Sequence, residues 1–349
     1  MLAILRQVIR DSSDIFIQTN HPPRNLTWFV TEKCNLRCKH CFVTNENRSP
    51  RKEMSFDDCI TFLQRSELEN VTLTGGEPLL YQDFPALFVQ LSNKKGVKSV
   101  GVATNGFRHD VMLELLGKRN RSVYYRLQTS LDGPEAVHNV VRGSSDAFKV
   151  VAELLEGWRK INGIATHAIM TLSKFNLPYL EETIKIANDL GTYLSINFVR
   201  SSSDARAGNI NDFIPVCAND LSVNEAKSAI NVWRKTRQSH LSLTTRWLEI
   251  TRLESIVYFM ETGLWHFPCA AGINDAVLYS DGSVSVCETL LPLGNLYDCN
   301  LSWKALWKKN PQQYKTCYCM WDCAMHNSLS KSVSGYRTLA GSILGTPLH

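Results

Sequence analysis

Three cysteines fall within eight residues: Cys34, Cys38 and Cys41, spaced C-x3-C-x2-C. They follow an apolar run over 26–30 that reads as a strand, and a loop leaving a strand end can turn three thiolates toward one point. Clustered thiolates bind zinc or an iron–sulfur cluster. Three ligands are one short of a closed structural zinc site. That leaves a [4Fe–4S] cluster with one open iron, or a fourth ligand from elsewhere in the chain. Three unrelated buried thiols would not need this spacing.

A second cysteine set lies toward the C-terminus. Cys269 and Cys287 bracket two alternating runs joined by Asp281-Gly282, a strong hairpin signal. Such a hairpin brings the two cysteines near each other at its open end. Cys317, Cys319 and Cys323 follow as a compact trio. Four of these five form a second thiolate site: Cys269, Cys287 and Cys323, with Cys319 or Cys317. Zinc is its plain structural occupant. Cys59 and Cys299 read as structural thiols.

Polar groups recur where strands are expected to end. In Gly75-Gly76-Glu77-Pro78 the two glycines let the backbone approach a ligand, and the carboxylate can accept from an ammonium. A tight turn is the alternative. Thr104-Asn105, Ser130-Leu131-Asp132 and Asn197-Phe198 end later strands. Asp132 and Arg142 suit either a pocket or a loop salt bridge. Cys217 sits in the polar, aperiodic stretch 201–220, which reads as a long loop over the site. A thiol there could give a hydrogen atom to a substrate radical; an incidental half-buried thiol is the alternative.

The triplet Cys34, Cys38 and Cys41, followed by the aromatic Phe42, resembles the signature of the radical S-adenosylmethionine (radical SAM) enzymes. The resemblance implies that these cysteines hold three irons of a [4Fe–4S] cluster. SAM would chelate the fourth iron, with Phe42 against its adenine. Residues 75–78 are similar to the family's GGEP motif, which implies that the backbone and Glu77 hold the SAM amino group. The stretch from Ser130 through Asp132 to Arg142-Gly143 is similar to one in members that modify peptides. Ser130 would then contact SAM, with Asp132 and Arg142 near the pocket. Thr104, Asn105, Asn197 and Phe198 become candidate neighbours of SAM or substrate.

The hairpin's C-x12-G-x4-C spacing, the Gly294-Asn295 turn and the C-terminal cysteines resemble the twitch or SPASM extensions of the same family. Five suitably placed cysteines, where the full SPASM pattern has seven, imply one auxiliary [4Fe–4S] cluster. The implied activity is reductive cleavage of SAM to a 5′-deoxyadenosyl radical and abstraction of hydrogen from a substrate C–H bond. A peptide or small metabolite would be oxidised, cross-linked or epimerised. A sugar or nucleoside epimerase or dehydrogenase of the same family is the alternative, and a non-catalytic zinc-stabilised binding protein the remote one. An electron donor such as flavodoxin or ferredoxin is the implied partner.

Such residues need a frame that gathers strand ends. Strands are expected over 26–30, 71–74, 97–103, 122–129, 165–171 and 192–199. Helices are expected between them over 55–70, 83–95, 108–117, 146–161 and 177–190. Alternating units of this kind form a parallel sheet with right-handed crossovers, and its active site lies at the carboxyl ends of the strands. The resemblance implies an α/β fold, a partial (β/α)6 TIM-like barrel. The expected divisions are an N-terminal extension over 1–25, the barrel over 26–220, a helical connection over 221–265 and a small cysteine-rich auxiliary-cluster domain over 266–349. The 33 residues before Cys34 leave little room for a separate recognition domain.

The chain has 349 residues and a net charge of +5, with no block of Lys or Arg, so nucleic-acid binding gains no support. No apolar run approaches a membrane span and the N-terminus does not read as a signal peptide. Eleven cysteines in that setting point to metal binding in a reducing cytoplasm rather than to disulfides.

Overall fold

The computed structural model shows which strand residues enter the core. It describes residues 21–41, 52–199, 221–263, 267, 269–288, 290–309, 325, 327–329, 335 and 340. Phe42, Cys217, Cys317, Cys319 and Cys323 lie outside the described residues.

Six strands alternate with helices: β1 (Asn25–Thr31), β2 (Asn70–Gly75), β3 (Ser99–Ala103), β4 (Tyr124–Ser130), β5 (Ile164–Leu172) and β6 (Leu194–Phe198). The crossovers carry α1 (Phe56–Gln64), α2 (Phe84–Asn93), α3 (His109–Gly117), α4 (Glu135–Arg142), α5 (Ala147–Arg159) and α6 (Leu180–Asp189). Helices α7 (Val223–Lys235) and α8 (Leu243–Thr262) follow. After them come β7 (Asp275–Leu278), β8 (Ser283–Ser285), β9 (Gly294–Asn295) and α9 (Trp303–Lys309). All nine strands join one sheet in the order β6-β5-β4-β3-β2-β1-β7-β8-β9. Pairing from β6 through β1 to β7 is parallel, and β7-β8-β9 is antiparallel. With β6 and β9 at its two edges, the partial TIM-like barrel is not closed.

One sheet face is apolar. Trp28, Leu73, Val102, Leu127, Met170 and Ile196 are at most 1% exposed, as the helix-covered side of a parallel sheet requires. Trp28 meets Phe62 of α1 edge-on at 5.4 Å, and Tyr125 meets Phe88 of α2 at 5.7 Å. Each fully buried side chain of this kind contributes about 1.5–3 kcal/mol. The opposite face carries Thr27, Thr72, Arg126 and His167, which are half-buried or exposed. The concave side therefore mixes polar side chains with a buried apolar patch of Phe29, Val277 and Tyr279.

Differences from expectation are local. Helix α1 stops at Gln64 rather than near residue 70, because Ser66 Oγ turns back to donate to Leu63 O. The chain then runs to β2, where Glu69 N donates to Arg24 O. The stretch between Asp132 and Arg142, expected as a loop, contains α4, which ends at the left-handed Gly143. The Asp281-Gly282 hairpin forms as expected, with Val277 opposite Ser285. Its first strand also pairs with β1, so the sheet runs from the barrel into the cysteine-bearing hairpin. Among the described residues no helix is long and apolar enough to cross a membrane.

Candidate active site

The cysteine loop leaves β1 at Thr31 and rests on the exit of β2. Gly76 N donates to Thr31 O (2.9 Å) and Glu77 N to Lys33 O (2.7 Å). A Cβ on Gly75 would lie 2.2 Å from Thr31 O, and one on Gly76 would lie 2.3 Å from Lys33 O. The close approach that glycine permits here is thus to the backbone of the cysteine loop. Pro78 then starts one turn of 3-10 helix over 78–80.

Glu77 turns inward and is fully buried. Its Oε1 accepts from Leu79 N (3.2 Å) and Thr104 Oγ1 (2.9 Å), and its Oε2 from Asn105 N (2.7 Å). The carboxylate therefore ties the exit of β2 to the exit of β3. Burial pushes its carboxyl up to about 7, against these three donors. Asn105 carries the tie onward: its Nδ2 donates to Asn35 Oδ1 (2.8 Å) and reaches Cys34 Sγ (3.8 Å).

The exit of β4 holds the loop from the other side. Arg142, at the end of α4, donates from Nε to Asp132 Oδ2 (2.5 Å) and from Nη1 to Cys38 Sγ (3.7 Å). The Asp132–Arg142 salt bridge is thus present, and it is buried at the base of the cysteine loop. Burial opposes the charge on Asp132, yet the Arg142 guanidinium holds its carboxyl below the usual range. Asp132 Oδ1 accepts from Thr171 N (2.9 Å), and its carbonyl accepts from Asn176 Nδ2 (3.0 Å).

His138 Nδ1 accepts from Asp132 N (3.0 Å), so its Nε2 carries the proton; that atom is buried, with no partner among the described residues. His40, between Cys38 and Cys41, also has a buried Nδ1 with no partner among the described residues. Burial, aided by Arg142, pulls His40 down to about 4. The sequence reading assigned no role to His40, His138 or Asn176. His40 was visible inside the cysteine motif; Asn176 carried no local signal.

The three cysteines are half-buried free thiols. Burial pushes Cys34 up to about 11, and both Cys38 and Cys41 act on it in the same direction. Burial also raises Cys38, against the pull of Arg142. Ligation must therefore displace protons. Among the described residues no three His, Cys, Asp or Glu side chains converge closely enough for a single ion. A tetrahedral zinc would draw sulfurs to about 4 Å apart, given Zn–S bonds of about 2.3 Å. A cluster in which each thiolate binds a different iron spreads its ligands more widely. Three mutually interacting thiols on one loop, with N–H donors on two of the sulfurs, fit the cluster.

The remaining candidates line the carboxyl ends of later strands. Ser130 lies opposite Ile169, and Thr171 opposite Asn197, so Ser130, Thr171 and Asn197 share the concave face. Phe198 packs against apolar clusters on two sides. Farther round the sheet, Cys287 is buried two residues beyond β8 and Cys269 is exposed. Ala270, next to Cys269, donates its N–H to Ser328 Oγ (2.7 Å), and Phe267 packs with Met325 and Leu329.

Residues 28–187 match the model of the Radical SAM superfamily. The chain is 33% identical over 185 residues to the mycofactocin maturase MftC of Mycolicibacterium smegmatis, covering 52% of this chain and 45% of that protein. It thus spans about half the length of that curated relative. It is 26% identical over 320 residues to an AdoMet-dependent heme synthase of Oleidesulfovibrio alaskensis, covering 84% of this chain and 77% of that protein. In fold it resembles the solved structure of anSMEcpe with bound AdoMet and Cp18Cys peptide. The TM-score is 0.59 at 16% identity, over 93% of this chain and 98% of that one. The matched segment, 28–187, contains the cysteine loop, the exits of β1 to β5 and most of α6.

Proposed function

We propose that this protein is a radical SAM enzyme that modifies a peptide, with its cluster on Cys34, Cys38 and Cys41. The single observation that carries the reading is the convergence of three strand exits on the cysteine loop. Glu77 stands at the β2 exit and Asn105 at the β3 exit, while Arg142, at the end of α4, is anchored to Asp132 of the β4 exit; each of the three is tied to that loop or to its sulfurs. When bound, the cluster and SAM supply one-electron cleavage of SAM and a 5′-deoxyadenosyl radical that removes hydrogen from a substrate C–H bond. The chain's part is positional. The Gly75–Glu77 backbone fixes the loop, while Ser130, Thr171 and Asn197 share the concave sheet face where SAM and substrate would meet. Asp132 and Arg142 exclude water from the base of the loop by burying their ion pair there.

A peptide substrate is supported by the maturase name of the MftC relatives and by the peptide in the anSMEcpe structure. It also suits a concave face that offers hydroxyl, amide and imidazole groups to a peptide backbone. Cys269 and Cys287, with Cys323 and one of Cys317 and Cys319, are proposed to hold one auxiliary cluster. The contacts of Met325, Ser328 and Leu329 with the Cys269 segment support this grouping. The similarity to the heme synthase reaches into the C-terminal part and favours a small metabolite as the second reading. An external one-electron carrier of the flavodoxin or ferredoxin kind would complete the system.

The test is iron and sulfide content with EPR after anaerobic reconstitution, comparing wild type with a Cys34/Cys38/Cys41→Ala triple variant. About eight irons falling to about four is expected, assuming four-iron cubanes, with SAM perturbing only the wild-type reduced spectrum. Zinc alone, with no response to SAM, would refute the proposal.

A further inference from the structure

We infer that Arg142 is a positioning residue that sets the reduction potential of the cluster through Cys38. The inference rests on the proposed placement of the cluster and goes beyond it. The guanidinium is held at both edges, by Asp132 Oδ2 at 2.5 Å and by Cys38 Sγ at 3.7 Å. Its backbone is fixed independently of those bonds. Lys39 N donates to Val141 O (2.9 Å), and Gly143, at φ 67°, leaves no room for a Cβ, which would meet Arg37 O at 2.7 Å. The end of α4 and the cysteine loop therefore move as one body.

Asp132 cannot swing to release Arg142. Its other oxygen accepts from Thr171 N, its carbonyl from Asn176 Nδ2, and its N–H donates to His138 Nδ1. Among the described residues the other hydrogen bonds to the sulfurs of Cys34, Cys38 and Cys41 are neutral: Leu36 N at 3.4 Å and Asn105 Nδ2 at 3.8 Å, both to Cys34. Among the described residues Arg142 is the only charged donor on the sulfurs of Cys34, Cys38 and Cys41.

Reduction adds negative charge to a cluster and its thiolates. Hydrogen bonds to the sulfurs and local charge are the protein's levers on that potential. A guanidinium fixed at a ligating sulfur, with its counter-ion on the far edge, favours the reduced state. The Asp132–Arg142 pair thus acts as an oriented dipole, positive end toward Cys38.

The test is an EPR-monitored redox titration of the reconstituted full-length protein, following the signal that changes when SAM is added. Arg142→Met and Arg142→Gln remove the charge, and Arg142→Lys keeps it. The neutral variants are expected to be at least tenfold harder to reduce, a downward shift of about 59 mV for a one-electron couple. Arg142→Lys should stay closer to wild type. If one neutral variant fails to load iron, the other decides. A neutral variant that loads iron and reduces at the wild-type potential overturns the inference. So does failure of both neutral variants to load iron while Arg142→Lys loads it, because Arg142 then holds the loop and not the potential. Wild-type protein with no SAM-sensitive iron signal would overturn the proposed function itself, a distinguishable result.

Discussion

Glu77→Gln separates the two opposing effects on the carboxylate that clamps the β2 and β3 exits. The carboxyl is fully buried and accepts three hydrogen bonds. Burial raises it from 4.5 to about 7. A native value above the unfolded one means that the folded protein binds the extra proton. The associated stability is complete below pH 4.5 and is lost as pH rises to about 7. Raising a carboxyl over that interval corresponds to about 3 kcal/mol. Glutamine cannot titrate, and every other ionisable group is common to both proteins. The wild-type advantage in unfolding free energy over Glu77→Gln should therefore shrink by about 3 kcal/mol between pH 4.5 and 7.5. Urea unfolding of the metal-free full-length protein at each pH, extrapolated linearly to water, measures that difference. A difference that stays flat across the range would refute the reasoning. It would show that the donors from Leu79, Thr104 and Asn105 outweigh burial and keep Glu77 charged throughout.

Two other substitutions probe the same frame. Gly76→Ala places a methyl 2.3 Å from Lys33 O and 2.7 Å from Glu32 O; both are backbone atoms, so the cysteine loop must shift. A loss of about 2 kcal/mol in urea unfolding is expected, with lower iron incorporation on reconstitution. Asp132→Ala leaves the buried Arg142 charge without its partner and should cost about 3–5 kcal/mol near neutral pH. Because Asp132 is held below its usual range, that cost is present above the unfolded carboxyl value and should narrow as the solution is acidified below about pH 4. Thermal melts across pH check this, and a gap that is constant in acid would contradict it.

What the sequence determined by itself is what is encoded locally. The C-x3-C-x2-C spacing marks a cluster loop because a turn of eight residues can bring all three thiols to one point. Alternating runs separated by helical periods specify six parallel strands, since the period of each run selects its element. Asp281-Gly282 specifies a hairpin because its turn needs a left-handed residue, and Gly282 stands at φ 80°. Helix α4 was less legible: eight residues between Pro134 and Gly143 are too few for periodicity to stand out. The tertiary structure alone decided what the strand-end residues face. Glu77 meets a neighbouring backbone 28 residues away, and Arg142 reaches a sulfur 104 residues away. Strand β7 pairs with β1 across 250 residues of chain, Asn25 opposite Asp275. Such partners are chosen by which strand exits the sheet order brings together, and that order is a property of the packed chain rather than of any segment within it.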